Sequence, residues 1–236
     1  MIGTILTYAG LGVLGIAFLV LVYSSIVYIP NNKVGIKEKM WSAKGSVEKG
    51  LLALADEAGY EPDMLRGGFH LLIPFMYRVH KQDLVLVPQG EIGYVFARDG
   101  QSLPQGQTLG TNTKADNFED ARHFIVSGGY KGPQRKILRE GVYPINTAQF
   151  VILTRQKVYA LEMSEFDNAA IDAMHTSITN RNGFTPVIIN AKDDTIGIVT
   201  THDGPSLPSG ELIAPIVGQK DNHSLHNNFQ EADIFI

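Results

Sequence analysis

Two stretches of this chain are near-copies of each other, and this limits what it can fold into more than any other feature. IGYVFARDGQSLPQG (Ile92–Gly106) aligns with IGIVTTHDGPSLPSG (Ile196–Gly210) at an offset of 104, and nine of the fifteen positions are identical. A second pair follows in the same order. DNFEDARHFI (Asp116–Ile125) aligns with NNFQEADIFI (Asn227–Ile236) at an offset of 111, seven residues more. Two blocks in one order mark an internal duplication, with a period too long for a solenoid unit. Tandem small domains are the expected result. Fainter echoes come earlier: PNNKVGI (30–36) resembles PQGEIGY (88–94), and LRGGFHLLIP (65–74) resembles LREGVYPIN (138–146).

The local chemistry is β-rich. DLVLVP, EIGYVFA, QFVILT, TPVIINA and TIGIVTT are short β-branched or aromatic runs bounded by Gly, Pro, Asn and Asp. Asp99-Gly100 and Asp203-Gly204 supply turn dipeptides that tolerate positive φ. NFEDARHFI places Phe118, Ala121, Phe124 and Ile125 on one helical face, with acids near its start, where the helix dipole favours them. NFQEADIFI repeats the pattern. SVEKGLLALADEAG and SEFDNAAIDAMHTSI are weaker helix candidates. The expected class is α+β: an N-terminal transmembrane helix, then tandem small β-rich domains with short helices. The expected divisions are an anchor at 1–29, a first unit at 30–87, a second at 88–190 and a third beginning at 191–236. The third would hold a strand-and-helix start without its closing strands, so the sequence reads as the N-terminal part of a longer polypeptide.

The anchor is expected because residues 1–32 carry no charged side chain, and Leu11–Ile29, LGVLGIAFLVLVYSSIVYI, is almost purely apolar. A helix of about 20 such residues spans a hydrocarbon core of ~30 Å with its backbone satisfied internally. Leu11, Leu14, Ile16, Phe18, Leu19 and Leu21 would face lipid, and Tyr23 and Tyr28 would sit at the interface. A cleavable signal peptide is the rival, but no basic residue precedes the run and YSSIVYIPNN is a poor cleavage site. Lys33, Lys37, Lys39, Lys44 and Lys49 follow the run and none precede it, which by the positive-inside rule places the folded part in the cytoplasm.

Chemistry is sparse. With a net charge of -4 there is no basic excess to neutralise phosphates, so no nucleic-acid partner is expected. With no cysteine, disulfides and thiolate metal sites are excluded. GGYKGPQRK lacks phosphate-loop spacing, and GQSLPQG and GPSLPSG lack the second glycine of a nucleophile elbow. His223 and His226 are three apart with Asp221 near, but no further ligand has sensible spacing. His70 and His80 read as meeting solvent or a backbone carbonyl. No catalytic residue, cofactor or metal is therefore assigned. KGPQRKILR holds Lys131, Arg135 and Lys136, which could meet anionic lipid headgroups or form a solvated helix face. FHLLIPFMY holds Phe69, Leu71, Leu72 and Phe75, which could meet lipid or form a core strand.

IPNNKVGI followed by LRGGFHLLIPFMYRVHKQDLVLVPQGEIGYV resembles the start of the SPFH, or band-7, superfamily of stomatins, prohibitins and flotillins. The resemblance is carried by Pro30, Val34, Gly35, Gly67, Gly68, His70 and Pro74. The later ARDGQSLPQG and GGYKGPQRKILREGVYPIN resemble a large bacterial flotillin-like subgroup. It implies a non-enzymatic scaffold at the bacterial inner membrane: a homo-oligomeric ring or cage that organises a microdomain or sequesters membrane proteins, such as a membrane protease. The family's long coiled coil has no counterpart in these residues. The competing expectation is a membrane-anchored enzyme or adaptor whose functional part lies beyond residue 236.

Overall fold

The structure is a computed structural model that describes residues 2–111, 116–163, 165–189, 196–201, 204, 206–214, 219–220 and 223–224. The chain divides into two compact units, residues 1–84 and 85–236.

The first unit opens with helix α1 (Ile2–Ser25). Its end has a local cause. Ser24 and Ser25 turn their hydroxyls back onto the Leu21 carbonyl at 2.9 and 2.8 Å, and the β-branched pair Ile26-Val27 then favours extended backbone. Strand β1 (Ile26–Ile29) follows, and the Lys33 N–H closes a turn onto the Pro30 carbonyl at 3.0 Å. Next come β2 (Lys33–Lys39), β3 (Gly59–Leu65), β4 (Gly68–Leu71) and β5 (Tyr77–Asp83). β2 is the centre of an antiparallel sheet of order β3-β2-β5, and β1 pairs with β4 as a separate two-stranded ribbon. Ile29, Val34, Ile36, Leu52, Ala53 and Ala58 form the buried apolar set.

Among the described residues no helix is long and apolar enough to cross a membrane. The transmembrane helix expected over 1–29 is therefore corrected. The apolar run that suggested it is shared between two elements. Ile26, Val27, Tyr28 and Ile29 leave the helix and pair with Leu71, His70, Phe69 and Gly68. SVEKGLLALADEAG is a second correction. It forms loops and isolated bridges, Ser46 with Ala58 and Leu52 with Tyr60, and Gly45 and Gly50 both take φ of 81°.

The second unit contains β6 (Val85–Val87), β7 (Tyr94–Ala97), a 3-10 turn (Asp116–Phe118), α2 (Ala121–Val126), β8 (Gly132–Pro133), β9 (Gly141–Tyr143), β10 (Phe150–Leu153), β11 (Val158–Tyr159) and α3 (Glu165–Asn180). Its main sheet has the order β11-β10-β7-β8, and β6 pairs with β9. All four residues of β10 are buried because both faces of the strand are covered. Phe150 meets the rings of Phe118 and Phe124 at centroid distances of 5.2 and 5.0 Å. Val151 and Leu153, on the opposite face, pack with Ile171 of α3 and with Phe184. The Asp120 carboxylate caps α2 by accepting the His123 N–H at 2.7 Å. KGPQRKILR is not a helix face: it supplies β8 and the bridges of Gln134 and Leu138. TPVIINA and TIGIVTT form no strand among their described residues, and NFQEADIFI lies outside the described residues.

Candidate functional site

The β1–β4 ribbon has one face turned inward and one turned out. Ile29 is fully buried and lies against Gly35, where a Cβ would come within 2.9 Å of the Ile29 Cδ1 and 3.0 Å of Val79. A side chain at Gly67 would likewise strike the Asn31 backbone at 2.9 Å. Two glycines thus let the ribbon seat closely on the sheet. The outward face carries Ile26 opposite Leu71 and Tyr28 opposite Phe69. Tyr28 and Phe69 stack in a tilted pair with ring centroids 4.9 Å apart, yet Phe69 and Leu71 are each 78% exposed.

The chain leaves β4 in a turn that extends this surface. The Leu72 N–H donates to the Ser25 carbonyl at 2.8 Å, and the Met76 N–H closes the turn onto the Ile73 carbonyl at 3.3 Å. Phe75, directly after Pro74, has φ of 62° and is 81% exposed. A bulky side chain at positive φ is uncommon, and glycine would take that conformation at lower cost. From Leu11 to Val22 α1 carries no polar side chain, and its large apolar side chains there are all 42–67% exposed. A helix apolar all round calls for cover, and apolar clusters of this kind mark interaction sites.

Of the side chains expected to meet lipid, Leu11, Leu14, Ile16, Phe18, Leu19, Leu21 and Tyr23 lie exposed on α1. Tyr28, Phe69, Leu71 and Phe75 lie on the ribbon and its turn, and Leu72 is half-buried. Lys131, Arg135 and Lys136 belong to the second unit. Lys131, just before β8, is exposed, while Arg135 and Lys136, after β8 and Gln134, are half-buried. Arg135 also lines a cavity of about 290 Å³ beside Tyr94, Phe96, Met174 and Ile178. The outward direction of Ile26 follows from its pairing with Leu71, more than forty residues away, which the sequence alone does not show.

Three of the lysines after the apolar run, all on β2, are paired within the first unit. Lys33 pairs with Asp83 at 3.2 Å, Lys37 with Glu61 and Lys39 with Asp56. Hydrogen bonding to the Lys39 ammonium holds the Asp56 carboxyl below its ordinary value, and the same bond raises the Lys39 amine. His80 Nε2 meets the Glu38 carboxylate at 2.8 Å, and His70 Nε2 meets the Arg66 carbonyl at 2.6 Å. His70 therefore has the carbonyl partner expected, whereas His80 has a carboxylate. Among the described residues no group of His, Asp and Glu could hold a metal ion. The Tyr94 hydroxyl, pushed up by burial, donates to the Gly183 carbonyl at 2.6 Å, a structural bond.

Compared with protein-family models, curated proteins and solved structures, the chain matches none.

Proposed function

We propose that this chain is a self-assembling, non-enzymatic scaffold that engages a membrane through the apolar surface of its first unit. The carrying observation is the outward face of the β1–β4 ribbon, where Tyr28, Phe69 and Leu71 are exposed beside a turn that holds Phe75 at positive φ. Such a surface is costly in water and favourable in an interface, where aromatic rings partition well. The resemblance to the SPFH superfamily points the same way. It supplies the rest of the reading: a bacterial inner membrane, further copies of the chain, and membrane proteins, a protease among them, as cargo.

The attraction is carried by the exposed apolar rings, and Lys33, Lys37 and Lys39 are already paired within the first unit. Flotation with phosphatidylcholine vesicles tests this, combined with light scattering of the protein in mild detergent. Vesicle binding that survives 1 M salt, and a mass many times the chain's 25.9 kDa, support the reading. A monomer that stays with the unbound fraction overturns it.

A further inference from the structure

The two units share a strand pairing but differ in what covers it. In the first, Lys37 pairs with Val79 and Lys39 with Tyr77. In the second, Val95 pairs with Ile152 and Ala97 with Phe150, which is the same register in the corresponding strands. Phe96, Val151 and Leu153 therefore stand where the first unit has Glu38, Arg78 and His80. In the first unit that face is polar, with Glu38 meeting His80 at 2.8 Å and Arg78 at 3.7 Å. In the second it is apolar, and α3 covers it. Val151, Leu153, Ile171 and Phe184 form a buried cluster, and Tyr94, Phe96, Met174 and Ile178 pack against it.

The cover is incomplete on the β8 side. There α3 and the sheet enclose a cavity of about 290 Å³, walled by Tyr94, Phe96, Leu109, Ile137, Met174 and Ile178. Protein interiors close-pack and seldom leave so large a gap. The neutral polar side chains of the deeper wall are engaged elsewhere. The Tyr94 hydroxyl donates to the Gly183 carbonyl at 2.6 Å, and the Gln134 amide donates to the Tyr130 and Gly132 carbonyls at 2.7 and 2.8 Å. Ser177, exposed on α3, marks the mouth. Among the described lining residues Arg135 is the one charged group, and no carboxylate accompanies it. The cavity is thus an apolar chamber with a single cationic group in its wall.

We infer that this cavity binds a free single-chain carboxylate, with its alkyl chain among the apolar walls and its head at Arg135. Size sets the chain length. An engineered apolar cavity of ~150 Å³ holds benzene, so this one takes roughly eight to ten carbons. Met174 suits a flexible chain, because its unbranched thioether adapts to irregular shapes. The head follows from charge. A guanidinium carries several N–H donors, so Arg135 keeps its contacts within the chain and still bonds a carboxylate. A bilayer phospholipid, with two longer chains and a phosphate, does not fit. The cavity belongs to the second unit and the apolar ribbon to the first, so either reading can fail alone.

Titration of the full chain, carrying isotope-labelled methionine methyls, with decanoate tests this by NMR. The Met174 methyl is expected to shift and saturate. Ser177→Phe keeps the fold, because Ser177 is exposed, and its ring blocks the mouth, so decanoate should bind about tenfold more weakly or worse. Arg135→Gln is expected to weaken decanoate by about tenfold and to leave decanol unchanged. Four results would overturn the inference. They are a Met174 methyl that stays in place or never saturates, undiminished affinity in Ser177→Phe, decanoate and decanol affected alike in Arg135→Gln, and the same shift produced by phosphatidylcholine vesicles.

Discussion

Tyr28 and Phe69 face each other across the β1–β4 ribbon with ring centroids 4.9 Å apart, and the Phe69 ring is nevertheless 78% open to solvent. The pair does little for the fold, since a cross-strand pair contributes roughly 0.2–1 kcal/mol. Taking Phe69 into lipid would add about 2 kcal/mol, close to thirtyfold in partitioning. Phe69→Ser is therefore expected to weaken vesicle binding by roughly that factor and lower stability by less than about 1 kcal/mol. Vesicle co-sedimentation and urea denaturation measure the two effects. An unaltered partition coefficient would remove this face from the membrane reading.

Phe75 allows a comparison that separates ring from backbone. With φ of 62°, any residue with a Cβ is strained there by about 1 kcal/mol relative to glycine. Phe75→Gly is expected to be more stable than Phe75→Ala by about that amount, the reverse of the usual order. Both variants remove the same exposed ring, so both should lose vesicle binding equally. Stabilities in the ordinary order would show that the turn relaxes at no cost. Binding retained in either variant would show that the ring does not reach the membrane.

The parts of the fold legible in the sequence are those set by short-range pattern. QFVILT reads as a strand because four consecutive apolar residues suit a position covered on both faces, as Phe150–Leu153 is. NFEDARHFI reads as a helix, and Ala121–Val126 is one, but Phe118, expected on the same helical face, lies before it in the 3-10 turn at φ of 65°. Long-range pairing is not legible this way. Nothing in IVYI says that it leaves a helix to meet Gly68–Leu71, so a run of apolar residues looked like one continuous span. TIGIVTT has strand composition but no strand among its described residues, because composition sets a preference and a pairing partner completes it. The exposed aromatic surface was half legible: Phe69, Leu71 and Phe75 stood out as apolar, but their outward direction depends on the register with β1.

Lys39 and Asp56 make stability depend on acidity. The Lys39 ammonium bonds both the carboxylate and the carbonyl of Asp56, which ties the loop before β3 to the end of β2. The folded carboxyl sits below its ordinary value because of that bond. Its contribution is thus complete above the unfolded value, about 4, and is lost as pH falls through the lower folded value. Asp56→Asn is expected to be less stable than the parent chain at pH 7, with the gap closing toward pH 2–3. Urea midpoints at both values measure it, and a gap independent of pH would assign the loss to the loop backbone instead.

Gly129 packs closely against Phe124. A Cβ on Gly129 would lie 2.5–2.6 Å from three ring carbons of Phe124, and the Gly129 N–H donates to the Phe124 carbonyl at 2.8 Å. The ring cannot retreat, because Phe150 meets it edge-on at 5.0 Å and Phe118 lies at 6.2 Å. Gly129→Ala should therefore cost about 1–3 kcal/mol by overpacking. Phe124→Leu loses ring contacts and leaves a gap, a separate cost of similar size. Combined, the leucine makes room for the new methyl, so the double variant should be more stable than the sum of the two losses predicts. Thermal or urea denaturation of the four chains measures the coupling. Strict additivity would mean that the loop carrying Gly129 moves away instead, and that the ring does not fix its position.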